Sequence, residues 1–185
     1  VPIGTYKLEC ISHKDYYADS ITTFETIQIK GSNFNLYVSS DGDDAKADGS
    51  NTKPFKTIKA ALIFGSGGAS KAVQYILRKR KIPFNIVTRH CKTRYDIGYF
   101  EAYDKGFYPY SLIINTTPVG MYPNIDDCLE LPYSTIEPHN IFIDLIYNPE
   151  ETIFLKEARL MGVPTYNGLT MLHEQAEAAW KIWNS

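Results

Sequence analysis

The stretch ALIFGSGGASKAVQYIL, residues 61–77, limits the fold more than any other part of the chain. A continuous apolar run meets Gly65, Gly67 and Gly68 and passes straight into a helix pattern. That order describes a buried strand, a glycine turn and a helix. Glycines there let a backbone approach a pyrophosphate while the helix N-terminus presents free N–H donors. A tight turn that merely needs positive φ would use the same residues.

Around this unit the chain divides near residue 60. Before it, the β-prone runs FETIQIK and FNLYVSS are separated by GSN, and the polar DGDDAKADGSNTKP follows as a long loop. After it, AALIF, FNIVTR, SLIINTT, IFIDLIY and a short PTYN alternate with helix patterns, the signature of βαβ units. Runs such as Leu112–Ile114 and Ile141–Ile143 are continuous, as in strands covered on both faces. Helical spacing predicts a stripe of Ala72, Val73, Ile76 and Leu77 after the turn. It predicts a second stripe of Ile153, Leu155, Ala158 and Leu160 ending at Gly162. Residues 170–185 read as a final amphipathic helix opened by Thr170. The expected class is α/β: a Rossmann-like parallel sheet with flanking helices over 61–185, preceded by a short β-rich segment, 1–60.

Composition excludes several functions. A formal charge of −2 and a pI near 6.1 argue against a general nucleic-acid binder. No apolar run approaches the roughly 20 residues of a membrane helix, and VPIGTYKLEC lacks a basic start followed by an apolar stretch. Three scattered cysteines imply no disulfide framework, and reduced thiols fit a cytoplasmic protein. The four histidines and three cysteines show no metal-ligand spacing.

The end of the second strand bears on cofactor choice. An NAD site usually carries a carboxylate there for the ribose 2′-OH. Here VTRHCKTR has none from Val87 to Arg94, and supplies Arg89, Lys92 and Arg94 instead. A 2′-phosphate wants a guanidinium, so these cations favour NADP over NAD. A solvated basic loop is the competing reading.

From residue 61 onward the chain resembles the cofactor domain of shikimate dehydrogenase. GSGGASKAV matches that family's G-x-G-G-A loop, and TRHCK stands where the family has Asn-Arg-Thr, with only Arg89 retained. INTTPVGMYP, DLIYNPEET and NGLTMLHEQA match three further family motifs in order. The resemblance implies NADP held by Gly65, Ser66, Gly67, Gly68, Ala69, Thr88, Arg89, Lys92, Arg94, Asn115, Thr116, Thr117, Pro118, Gly168 and Met171. It implies shikimate or 3-dehydroshikimate bound through Tyr147 and Gln175, no metal, no nucleic-acid or membrane partner, and allows a homodimer. In that family a Lys aided by an Asp moves the hydroxyl proton, and both lie in an N-terminal substrate domain whose motifs are not recognisable in residues 1–60. The nearest match is SNTKPFK, which makes Lys56 the one candidate for the catalytic lysine, against a solvated loop lysine. Residues 36–62 resemble instead the opening segment of secreted right-handed parallel β-helix proteins. The expected function is therefore NADP(H)-dependent interconversion of 3-dehydroshikimate and shikimate with the substrate domain missing. The alternative is a non-catalytic nucleotide-binding or carbohydrate-associated module.

Overall fold

The computed structural model describes residues 8–13, 24–29, 35–39 and 59–184. Two units are distinguished, Ile58–Met171 and Val1–Thr57 with Leu172–Ser185. In the latter, β1 (Leu8–His13), β2 (Phe24–Ile29) and β3 (Asn35–Ser39) form an antiparallel meander in that order. Its registers pair Leu8 with Ile29 and Phe24 with Ser39.

The other unit is a six-stranded, all-parallel sheet in the order β6-β5-β4-β7-β8-β9. Its strands are β4 (Ala61–Phe64), β5 (Phe84–Val87), β6 (Asp96–Ile97), β7 (Leu112–Asn115), β8 (Ile141–Asp144) and β9 (Thr165–Tyr166). All four residues of β4 and of β7 are buried, which is why both read as unbroken apolar runs. The chain leaves β4 to one side through β5 and returns to the other through β7. The crevice at the carboxyl ends of β4 and β7 is thus a topological switch point, where ligands of open α/β sheets bind.

The described residues include the helices α1 (Gly68–Lys79), α2 (Tyr99–Lys105) and α3 (Ile153–Leu160) in this unit, and α4 (Leu169–Trp183), which from Leu172 on is grouped with the other. The core gathers Leu62, Phe64, Val87, Ile113, Phe142, Phe154 and Leu155, with Phe142 and Phe154 in ring contact at 5.1 Å.

Two helix faces differ from the stripes expected. On α1 the buried positions are Ser70, Gln74 and Leu77, whereas Ala72 and Ile76 are exposed. Gln74 stays buried because its Nε2 donates to Ser70 Oγ and its Oε1 accepts from Arg78, each at 3.0 Å. The buried face thus keeps Leu77 of the expected stripe but is otherwise made of the small Ser70 and the hydrogen-bonded Gln74. On α3 the buried residues are Phe154, Leu155 and Ala158, with Leu160 64% exposed. β6 and α2 carry no periodic signal long enough to be expected. Among the described residues no helix is long and apolar enough to cross a membrane.

Candidate functional site

Gly65, at the end of β4, holds φ +99°, and an added Cβ would stand 2.8 Å from Thr116 Oγ1 and 3.0 Å from Thr117 Cγ2. The missing side chain lets the first turn close onto the loop after β7. Thr116 fastens that approach, its N–H and hydroxyl both donating to the Phe64 carbonyl at 2.9 and 2.6 Å. Gly67 and Gly68 differ from Gly65, since a Cβ on either meets nothing within 4 Å. Gly67 caps α1 with φ −76° and no side-chain hydrogen bond, and the first turn of the helix has no acidic residue. Both glycines thus leave room at a helix N-terminus, whose backbone N–H groups are the donors an anion takes. Ala69 is exposed in the same turn, and Ser66 Oγ shares a 3.4 Å hydrogen bond with Thr88 Oγ1 at the end of β5.

The basic segment follows Thr88. Arg89, His90, Cys91 and Lys92 are exposed in succession. Arg89 lies near Tyr99, whose hydroxyl is pushed above its ordinary range by burial while the Arg89 cation pulls the other way. The Tyr99 ring packs against Phe64, the last residue of β4, at 6.3 Å. Arg94 is engaged elsewhere. Its guanidinium donates to Tyr95 Oη at 2.8 Å and covers the Tyr95 ring at 5.0 Å, and Tyr95 stacks on Phe84 at the amino end of β5. Thr88 and Arg89 directly follow β5 and so lie at the carboxyl edge, Lys92 is exposed in the turn beyond them, and Arg94 packs toward the amino end. Asp96 lies just beyond the stretch without carboxylates. Burial works against its charge, yet hydrogen bonds from the Lys92 and Thr93 N–H groups and the Thr93 hydroxyl hold the carboxyl below its ordinary range.

The ends of β7 and β8 are joined by a buried network. Asn115 is fully buried; its Nδ2 donates to Asp144 Oδ1 at 3.1 Å, and its Oδ1 accepts from the Thr117 N–H and hydroxyl at 2.9 and 2.7 Å. Asp144 also accepts from the Ile146 N–H at 3.0 Å and the Thr152 hydroxyl at 2.7 Å. Burial raises the Asp144 carboxyl above its ordinary range, and the three donors offset only part of that. The Asn115 side chain is committed inside the protein. What it presents to the crevice is the geometry of Thr116, Thr117 and the exposed Pro118.

Thr152 serves this network twice, because its hydroxyl also caps α3 by accepting from Leu155 N at 3.4 Å. Thr152→Val should cost about 2–4 kcal/mol, from the lost cap and an orphaned carboxylate oxygen. The Asp144 pKa is raised in the folded state. Its contribution is therefore full below the ordinary carboxylate range and is lost as pH rises through the folded value. The variant raises that pKa further, so denaturation should show a larger deficit at neutral pH than in mildly acidic solution. Equal deficits would refute the network's role.

Tyr147 is 47% exposed on the loop after β8. Gly168 is buried with its N–H donating to the Ile146 carbonyl at 2.8 Å, and a Cβ there would collide with the Leu145 carbonyl. Its smallness thus serves backbone packing. Met171 is half-buried in the first turn of α4, and Gln175 is exposed further along it, in the part grouped with residues 1–57. Lys56 and residues 40–58 lie outside the described residues. Asp96, Tyr99, Asp144 and Thr152 were not singled out as site residues from sequence. The motif DLIYNPEET opens with Asp144, but only three-dimensional placement shows what its carboxylate binds.

No family model matches the chain. An NADP(+) shikimate dehydrogenase of Methanococcus vannielii is 32% identical over 198 residues, covering 96% of this chain and 69% of the relative. The chain belongs to the shikimate dehydrogenase family. The enzyme of the same name from Methanococcus maripaludis is 41% identical over 138 residues, 68% of this chain and 49% of the relative. The chain spans about half the length of most curated family members it matches. Among solved structures, a shikimate 5-dehydrogenase from Thermus thermophilus in complex with NADP(H) and shikimate superposes with a TM-score of 0.54 at 28% identity, over 66% of this chain and 48% of that one.

Proposed function

We propose that this chain is a shikimate dehydrogenase-type oxidoreductase that binds NADP(H) and interconverts 3-dehydroshikimate and shikimate. The observation that carries the reading is the anion-binding edge. The N-terminus of α1 has no side-chain cap and two unobstructed glycines, Ser66 before it reaches Thr88 at the end of β5, and the exposed Arg89 follows Thr88, with no carboxylate from residue 61 to Asp96. These residues suit a pyrophosphate and a 2′-phosphate: backbone N–H groups for the first, a guanidinium for the second. When bound, NADP(H) supplies or accepts the hydride. Gly67, Gly68 and Ser66 would hold the pyrophosphate, Arg89 and Lys92 the 2′-phosphate, and Thr116 to Pro118 would border the nicotinamide half. Tyr147 and Gln175 would address the substrate, with Lys56 as the candidate proton carrier. The name shared by its relatives weighs against the carbohydrate-associated alternative. The Methanococcus vannielii alignment necessarily reaches into residues 1–60, which favours one family origin over a joint with a β-helix segment at 36–62. A boundary near residue 60, a homodimer and a cytoplasmic location belong to the same reading, on family resemblance alone.

The test is calorimetric titration with NADPH and NADH. Arg89→Ala should weaken NADPH by about 1.5–3 kcal/mol, the usual worth of a hydrogen bond to a charged group, and leave NADH nearly unchanged. Equal losses for both cofactors would sink the assignment. NADP reduction with saturating shikimate then tests the substrate.

A further inference from the structure

β5 and β6 are adjacent and parallel, yet only residues 88–95 join them. Parallel neighbours normally need a crossover of about a dozen residues or more, usually with a helix. Here the chain turns at the carboxyl edge and runs back beside the sheet. Its ends are tied into the ladder, Thr88 N–H to the Ile97 carbonyl at 3.1 Å and Ile86 N–H to the Tyr95 carbonyl at 2.8 Å.

Between those ties, side chains pin the segment at two points. Near its start, Thr88 Oγ1 accepts from His90 N–H at 3.4 Å. Near its end, Asp96 Oδ2 accepts from the N–H groups of Lys92 and Thr93 at 2.7 and 2.8 Å, and Oδ1 accepts from the Thr93 hydroxyl at 2.8 Å. Asp96 is itself fixed by pairing with Ile86 in the sheet. The exposed span Arg89–Lys92 is thus held at both ends, and Asp96 makes the shorter and more numerous bonds. A loop ordered before binding loses less conformational freedom when its cations close on a ligand.

We infer that Asp96 is a positioning residue for 2′-phosphate recognition, a clasp that holds the Arg89–Lys92 span in its binding shape and so sets the preference for NADP(H) over NAD(H). This rests on the cofactor reading above. The carboxylate lies close enough to Lys92 that its charge opposes a phosphate, so geometry and charge make opposite predictions. Asparagine separates them, because its carbonyl oxygen still accepts from both N–H groups while the charge is gone.

The experiment is titration of the full chain and its Asp96→Ala, Asp96→Asn and Arg89→Ala variants with NADPH and NADH, with thermal unfolding of each. Asp96→Ala should weaken NADPH about 5- to 20-fold, the loss of one or two hydrogen bonds' worth of order, with NADH changed less than about twofold. Asp96→Asn should stay within about twofold of the parent for both cofactors. NADPH affinity unchanged or raised in Asp96→Ala, with Arg89→Ala still weakened, would overturn the clasp and leave the cofactor reading standing. An equal fall for NADPH and NADH would show general loosening and overturn it. So would a loss in Asp96→Asn as large as in Asp96→Ala. If Arg89→Ala loses nothing, the cofactor reading and the clasp fall together.

Discussion

Gly168→Ala is expected to cost this protein about 3 kcal/mol of folding stability, the upper part of the usual range for forcing extra volume into a packed site. The backbone at Gly168 is not in the left-handed region, so alanine itself would suit the local conformation. The obstacle is the Leu145 carbonyl, which occupies the space a Cβ needs. Neither side is free to withdraw. Leu145 N–H donates to the Asn115 carbonyl at 3.0 Å, Ile146 N–H to Asp144 Oδ1 at 3.0 Å, and Gly168 N–H to the Ile146 carbonyl at 2.8 Å. Relief would have to break at least one of these bonds and shift the segment carrying Met171. Urea denaturation of the variant is the measurement. A loss below about 0.5 kcal/mol, the range of an ordinary surface change, would mean that the contact yields at little cost.

Gly67→Val should do the reverse, removing NADP(H) binding while leaving the fold intact. Its φ of −76° is open to valine and a Cβ there meets no atom within 4 Å, so stability should fall only by the cost of a poorer N-cap, about 1 kcal/mol. The branched side chain would stand in front of the uncapped N-terminus of α1, where a pyrophosphate would take its hydrogen bonds. Two charge-assisted bonds are worth about 1.5–3 kcal/mol each, so affinity should fall on the order of 10²- to 10⁴-fold. Calorimetric titration beside a melting curve checks both halves. Normal NADPH binding would reduce the turn to a structural device. Unfolding would show that Gly67 resembles Gly65, whose positive φ and contact with Thr116 tie it to the fold.

The contrast between these glycines marks where sequence reading stops. All three in GSGG look alike as letters, and the pattern was enough to announce a strand, a turn and a helix. Only the fold assigns Gly65 to close approach between two loops and leaves Gly67 and Gly68 facing open space. Arg89 and Arg94 likewise read as equivalent cations. The sheet separates them, because the chain has already turned back to the amino end of β5 when it reaches Arg94.

What the sequence determined by itself was the succession β4, α1, β5, β7, β8, α3 and β9 in the parallel unit, without β6 and α2, and the family resemblance. The apolar runs of β4, β7 and β8 must be buried whatever surrounds them, and local turn chemistry marks where each ends. Tertiary structure decided the rest. β6 is two residues long and exists only because β5 offers an edge to pair with. The face α1 buries is Ser70, Gln74 and Leu77, of which only Leu77 belongs to the apolar stripe. The Asn115–Asp144–Thr152 network joins residues on separate elements, and the Asp96 clasp reaches only three and four residues back but does so in a turn, with no helix to announce it. Hydrophobic burial repeats along the chain and can be read there. Hydrogen bonds between loops depend on where a closed fold brings their ends, and no local period records that.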